Sequence, residues 1–148
     1  MGRAKSGAPL IKDVMRKNNM EQSSTQSIAE AWSQMHSFEI NSPEYEKYFW
    51  AFEQLSELIQ NNPLEALEVI FKIIEIDPSE KSLSNLGAGP IEDLMCYKGN
   101  EVINKIRTEA KSNVNFKKAL ASTWLDSKDT SLLKEFYEIA EVEPPFKE

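Results

Sequence analysis

Apolar residues along this chain recur every three or four positions, not every second one, and that spacing belongs to helices with one buried face. Tyr45, Tyr48, Phe49, Phe52, Leu55 and Ile59 mark one such face. Leu64, Leu67, Ile70, Phe71 and Ile74 mark the next, and Val69, Ile73 and Ile76 widen it until little polar surface is left, which predicts a central position for that helix. Upstream, Ile28, Ala31, Trp32 and Met35 predict a helix over 23–37. Downstream, the groups Leu83 and Leu86; Ile91, Leu94 and Met95; Val102, Ile103, Ile106 and Ala110; Phe116, Ala119, Leu120 and Trp124; and Leu132, Leu133, Phe136, Tyr137 and Ala140 predict five more. The expected fold is all-α, with about eight short helices.

Four helix starts are written in a common punctuation: a capping residue, then proline, then carboxylates. The sets are Ser42, Pro43, Glu44; Asn62, Pro63, Glu65; Asp77, Pro78, Glu80; and Gly89, Pro90, Glu92, Asp93. Proline suits the first helical position because no intrahelical N–H is needed there, while Ser, Asn or Asp before it accepts from an exposed amide. Carboxylates in the first turn face the positive end of the helix dipole. Gly99 suits a left-handed C-terminal cap for the helix that starts at Pro90.

Residues 68–73 read EVIFKI and residues 101–106 read EVINKI, an offset of 33 that also pairs Leu83 with Phe116 and Leu86 with Ala119. A helix pair of that length is the size of unit that stacks in α-solenoids. A helical bundle and a HEAT-like stack of helix pairs both fit the pattern.

Composition and charge sharpen this picture. Hydrophobic residues make up 41% and charged residues 28% of the 148, enough apolar material for one core. The net charge of −7 is uneven: residues 1–20 carry Arg3, Lys5, Lys12, Arg16 and Lys17 against Asp13, while the remainder holds 12 basic and 23 acidic groups. The expected organisation is a basic, disordered segment over 1–22, a single helical domain over 23–142 and an irregular tail over 143–148 around Pro144 and Pro145. The acidic body repels a phosphate backbone, so nucleic acid is an unfavourable partner for it. No apolar run is long enough to span a bilayer. Cys96, the only cysteine, excludes an internal disulfide and suits a reducing, cytoplasmic setting.

Chemistry is sparse. His36 is the only histidine and lies in a polar helix end, where a solvent-facing or satisfied ring is expected. Cys96, within Leu94 to Tyr97, reads as an inert thiol. One histidine and one cysteine leave zinc short of ligands, and no cofactor or metal is expected. The pair Glu92 and Asp93 could bind a divalent ion or act as acid and base, but first-turn capping explains it without a ligand. LGAGP at 86–90 has the glycines of a phosphate cradle without the Lys and Ser/Thr of a P-loop, so it reads as a tight corner between helices. Of the three rings at Tyr48, Phe49 and Trp50, one must point away from the buried face; Trp50 packs on the helix of Trp32 or faces a partner. The candidate interaction surface is therefore Trp50, Gly87, Gly89, Glu92 and Asp93.

The succession YFWAFEQLSELIQNNPLEALEVIFKII, LGAGPIEDLM, the turn at Gly99 and FKKALASTW resembles a family of small bacterial proteins catalogued only as a domain of unknown function. The resemblance covers about residues 45–124, and its most specific parts are Ala88 to Leu94 and Phe116 to Trp124. It implies a helical fold and a bacterial origin, and carries no mechanism. The family pattern often has a histidine before the glycine at 99, where this chain has Lys98.

These features favour a non-enzymatic protein-binding module whose partner is another protein of basic character, of the kind an immunity or inhibitor protein meets. Two alternatives are a metal-dependent hydrolase using Glu92 and Asp93, and nucleic-acid binding through the basic N-terminal segment.

Overall fold

A computed structural model describes residues 25–145. The expected basic segment and the first residues of the first helix lie outside that range, as do 146–148. Every regular element among the described residues is helical: α1 over 25–35, α2 Pro43–Tyr48, α3 Trp50–Asn61, α4 Pro63–Ile76, α5 Glu80–Leu86, a π-helical turn Gly87–Ile91, α6 Glu92–Ser112, α7 Val114–Ala121 and α8 Thr130–Ala140. No helix among them is long and apolar enough to cross a membrane.

Two of the four predicted starts stand at the expected residues. Ser42 accepts from the Tyr45 amide at 3.1 Å, and Asn62 accepts from the Glu65 amide while its own side chain donates to the Glu65 carboxylate. The third start shifts by two residues: Asp77 folds back to accept from the Ser79 amide, and Ser79 becomes the cap, accepting from Ser82. The fourth is absent. Backbone torsions stay right-handed helical from Leu86 through Gly87 to Ile91 and Glu92, so α5, the π turn and the part of α6 before its kink at Lys98 form one rod with Pro90 inside it. Proline in a helix interior collides with the carbonyl four residues back, and widening the turn to π geometry relieves that collision.

Gly99 is not a left-handed cap, since no glycine among the described residues has positive φ. The break expected there is present in another form: α6 consists of two helical stretches that meet at a kink, where Lys98 has non-helical torsions (φ −136°, ψ 24°). A Cβ on Gly99 would overlap Leu132 Cδ2, so the glycine serves the close approach of α6 and α8. Phe49 interrupts the helix predicted from Pro43, and the buried line beyond it becomes Ala51, Leu55 and Ile59. Phe52, expected inside, is exposed. Helix α7 ends at Ala121, which leaves Trp124 outside the helix and exposed, not on its inner face.

The core is one contiguous cluster. Helix α4 is its centre, as its broad apolar face predicts: Ala66, Leu67, Val69, Ile70, Phe71, Ile73 and Ile74 are all buried, and of its large apolar residues Leu64 and Ile76, near its ends, are exposed. Helices α3 and α6 pack on α4 and on each other, and α7 joins through an edge-to-face pair of Phe71 and Phe116 with centroids 5.0 Å apart. The two segments related by the 33-residue offset lie in α4 and α6, with Val69/Val102, Ile70/Ile103 and Ile73/Ile106 buried in both. Their partners Leu83/Phe116 and Leu86/Ala119 are buried in α5 and α7. Lys105 bridges to Glu68 at 3.5 Å between the two segments, an exposed pair that adds little stability.

The rod is held to the rest of the fold at Gly87. A Cβ there would overlap the Ala119 carbonyl oxygen and come within 2.9 Å of Ser122 Cβ, whereas one at Gly89 would meet nothing within 4 Å. Gly87→Ala is therefore expected to lower unfolding free energy by roughly 1–3 kcal/mol through overpacking. Gly89→Ala should change it by much less, because the gain from a better helix former is offset by the strain that a Cβ before Pro90 meets in helical backbone. Denaturant unfolding of the two variants side by side checks the contrast.

Candidate functional site

Four of the five candidate surface residues lie on the rod. Gly87, Gly89, Glu92 and Asp93 belong to the π turn and the first residues of α6, where the carboxylates follow directly on a helical segment. The helix-dipole account of the pair fails for that reason: no free helix end precedes them. Their ionisation points the same way. Burial raises the pKa of Glu92, and the charge of Asp93 adds to it; burial likewise raises Asp93. A carboxylate stabilised by a helix N-terminus would move downward.

The segment 123–126 lies across this part of the rod. Tyr137, from α8, donates its hydroxyl hydrogen to the Thr123 carbonyl at 2.8 Å and accepts from the Leu125 amide at 2.8 Å, while Leu125 is buried. Burial raises the Tyr137 pKa; the Leu125 amide opposes the shift and the Glu92 charge adds to it. Asp126, at the end of the segment, acts electrostatically on Cys96 together with Glu92 and Asp93. The region thus gathers three carboxylates around one exposed thiol. Partial burial first, and then these charges, raise the Cys96 pKa, the opposite of what activates a nucleophilic cysteine. Two large apolar side chains stand exposed in the same stretches: Tyr97, next to Cys96, at 63% and Trp124, between Thr123 and Leu125, at 60%.

Among the described residues no three His, Cys, Asp or Glu side chains come together in a way that could hold a metal ion. His36 is far from a hydrolytic arrangement: its ring stacks on Trp32 with centroids 3.8 Å apart, and Nδ1 lies 3.0 Å from the Trp32 carbonyl. Burial chiefly lowers its pKa, with Lys81 acting in the same direction and the Trp32 carbonyl opposing.

Trp50 is on another surface. It is half-exposed and lines an open groove with Ser27, Glu30 and Ala31 of α1, Tyr48, and Ile76 at the end of α4, to which Gly87, Gly89, Glu92 and Asp93 contribute nothing. Trp50 thus stands beside the helix of Trp32 with part of its side chain exposed. Cys96, Tyr97, Asp126 and Tyr137 were not legible as parts of a common region, because it is the return of the chain after α7 that assembles them.

A model of a family of unknown function, DUF6869, matches residues 38–140. The chain belongs to this family. The match takes in the whole rod, the 123–126 segment and Tyr137, and begins after α1. No curated protein and no solved structure matches the chain.

Two outcomes test this geometry. Tyr137→Phe leaves the Leu125 amide and the Thr123 carbonyl unpaired in a buried place, and should cost about 1–3 kcal/mol of unfolding free energy in chemical denaturation. For Asp93, the raised pKa means that its stabilising contribution is complete below its unfolded value and is lost as pH rises through its folded value. Asp93→Asn should therefore melt higher than the original at pH 7, with the difference shrinking as pH falls toward about 4; paired thermal melts across that range check the sign.

Proposed function

We propose that this chain is a protein-binding module that presents the surface around Glu92, Asp93, Cys96, Tyr97, Trp124 and Asp126 to a basic partner. The observation that carries the reading is the gathering of Glu92, Asp93 and Asp126 about Cys96, with Tyr97 and Trp124 exposed in the same stretches. Ionised groups placed at a disadvantage in the free protein gain when a partner's Lys or Arg side chains reach them. Exposed Tyr and Trp side chains beside such charges supply contact area of the type that dominates binding energy in protein interfaces. The net charge of −7 speeds encounter with a basic surface and makes association sensitive to salt. A high-pKa thiol and the lack of a three-ligand metal cluster among the described residues favour contact over chemistry here. An inhibitor or immunity role against a basic toxin is one form this recognition takes.

The test is affinity capture at low salt with the original chain and with two variants. Glu92→Lys/Asp93→Lys is expected to lose a stoichiometric partner that the original retains. Glu138→Lys, an exposed reversal on α8, is expected to keep it. Equal recovery by all three sinks the reading.

A further inference from the structure

Helix α3 turns Ala51, Leu55 and Ile59 inward, and Trp50, Glu53 and Glu57 lie on its opposite face at helical spacing. Trp50 is 43% exposed there. Glu53 and Glu57 stand four residues apart and form no ion pair among the described residues, an arrangement that destabilises the free helix. The surrounding charge has the same sign: residues 38–62 hold Glu39, Glu44, Glu46, Glu53 and Glu57 against Lys47 alone. That lysine is engaged elsewhere, its Nζ 5.4 Å from the Tyr48 ring centroid.

Charge of the opposite sign is concentrated in one other place. Residues 98–118 carry six basic side chains against Glu101 and Glu109, the reverse of the balance in the acidic body as a whole. Four of the six are paired within the chain: Lys98 with Glu101, Lys105 with Glu68, Arg107 with Glu135 and Lys117 with Glu141. Lys111, in the last turn of α6, and Lys118, in α7, form no ion pair among the described residues. Between them in sequence stands Val114, 63% exposed, on the same face of α7 as Lys118.

Helices α3 and α7 are each packed on α4 and α6, and both sets of side chains point away from that core. One molecule therefore cannot bring them together, whereas two can. A single kind of occupant then answers both unpaired sets at once, which an unrelated basic protein on α3 does not. We propose that the face of Trp50, Glu53 and Glu57 binds the tip formed by Lys111, Val114 and Lys118 of a second copy of this chain. The ammonium groups meet the carboxylates, and the indole covers apolar surface at Val114. The acidic excess of the body opposes the approach of two copies, so the dissociation constant is set on the order of 100 µM. None of these residues belongs to the Glu92 surface, so the inference stands apart from the function proposed above.

Sedimentation velocity of the full chain between about 10 µM and about 1 mM tests it, with two charge-reversed variants alongside. Glu53→Lys/Glu57→Lys and Lys111→Glu/Lys118→Glu each set like charges against each other across the contact, and each should weaken self-association about tenfold or more. Mixed in equal amounts, the two should associate to within about threefold of the original, because the acidic α3 of one meets the basic tip of the other and the reversed faces pair as well. All four positions are exposed, and each variant is compared with the original on its own, so the test holds if one of them folds poorly. A chain that stays monomeric throughout overturns the proposal, as does self-association that either reversal leaves intact or a mixture that fails to associate. A monomeric chain that binds poly-lysine, and loses it in Glu53→Lys/Glu57→Lys, overturns it in favour of a different basic protein on α3.

Discussion

Proline has no amide hydrogen, and inside a helix its ring meets the carbonyl four residues back. At Pro90 both demands are met by a single widened turn, and the widening is tolerable because Gly87 lets the rod lie directly against the end of α7. Everything around Glu92 depends on that approach. It sets where α7 stops, hence where the chain turns at Ser122, and hence where Thr123 to Asp126 cross the rod. Tyr137 then fixes the crossing with one hydroxyl used both as donor and as acceptor. A methyl group at residue 87 would push on this sequence of contacts at its first step.

The central helix shows the other side of the design. Helix α4 contributes no polar group to the interior along seven buried positions, so its placement rests on shape and on the hydrophobic effect alone. Its neighbours α3, α6 and α7 close around it, while the charged groups between α4 and α6, such as Lys105 and Glu68, stay at the surface. Stability is therefore carried by α4 and the side chains packed on it, and the groups of the proposed surface are ones that the core could spare.

Much of the helical order was legible because its causes are local. Ser42 and Asn62 cap through side chains only three residues from the amides they bind, and the width of the α4 apolar face is a property of consecutive residues. Gly89-Pro90 misled for an equally physical reason: Gly, Pro and two acids make a good helix start only if the chain before them is not already helical, and α5 is. Gly99 was read as a cap because its backbone is permissive, whereas the fold uses its missing side chain to admit Leu132. Trp124 continued the apolar spacing of α7, but that helix had already ended at Ala121. For the candidate surface, Glu92 and Asp93 could be singled out as neighbours in sequence; Asp126 and Tyr137 could not, since their place beside the rod follows from tertiary packing.

Helix α1 bears on how members of the family are defined. It precedes the matched stretch 38–140, yet Ile28, Ala29, Ala31, Trp32 and Met35 are all buried in the common core. A boundary drawn where sequence likeness begins at Phe38 cuts through a continuous hydrophobic interior. The cut leaves an oily scar where Trp32 and Met35 had been, so a fragment trimmed to the matched residues is a candidate for aggregation and a poor stand-in for the protein.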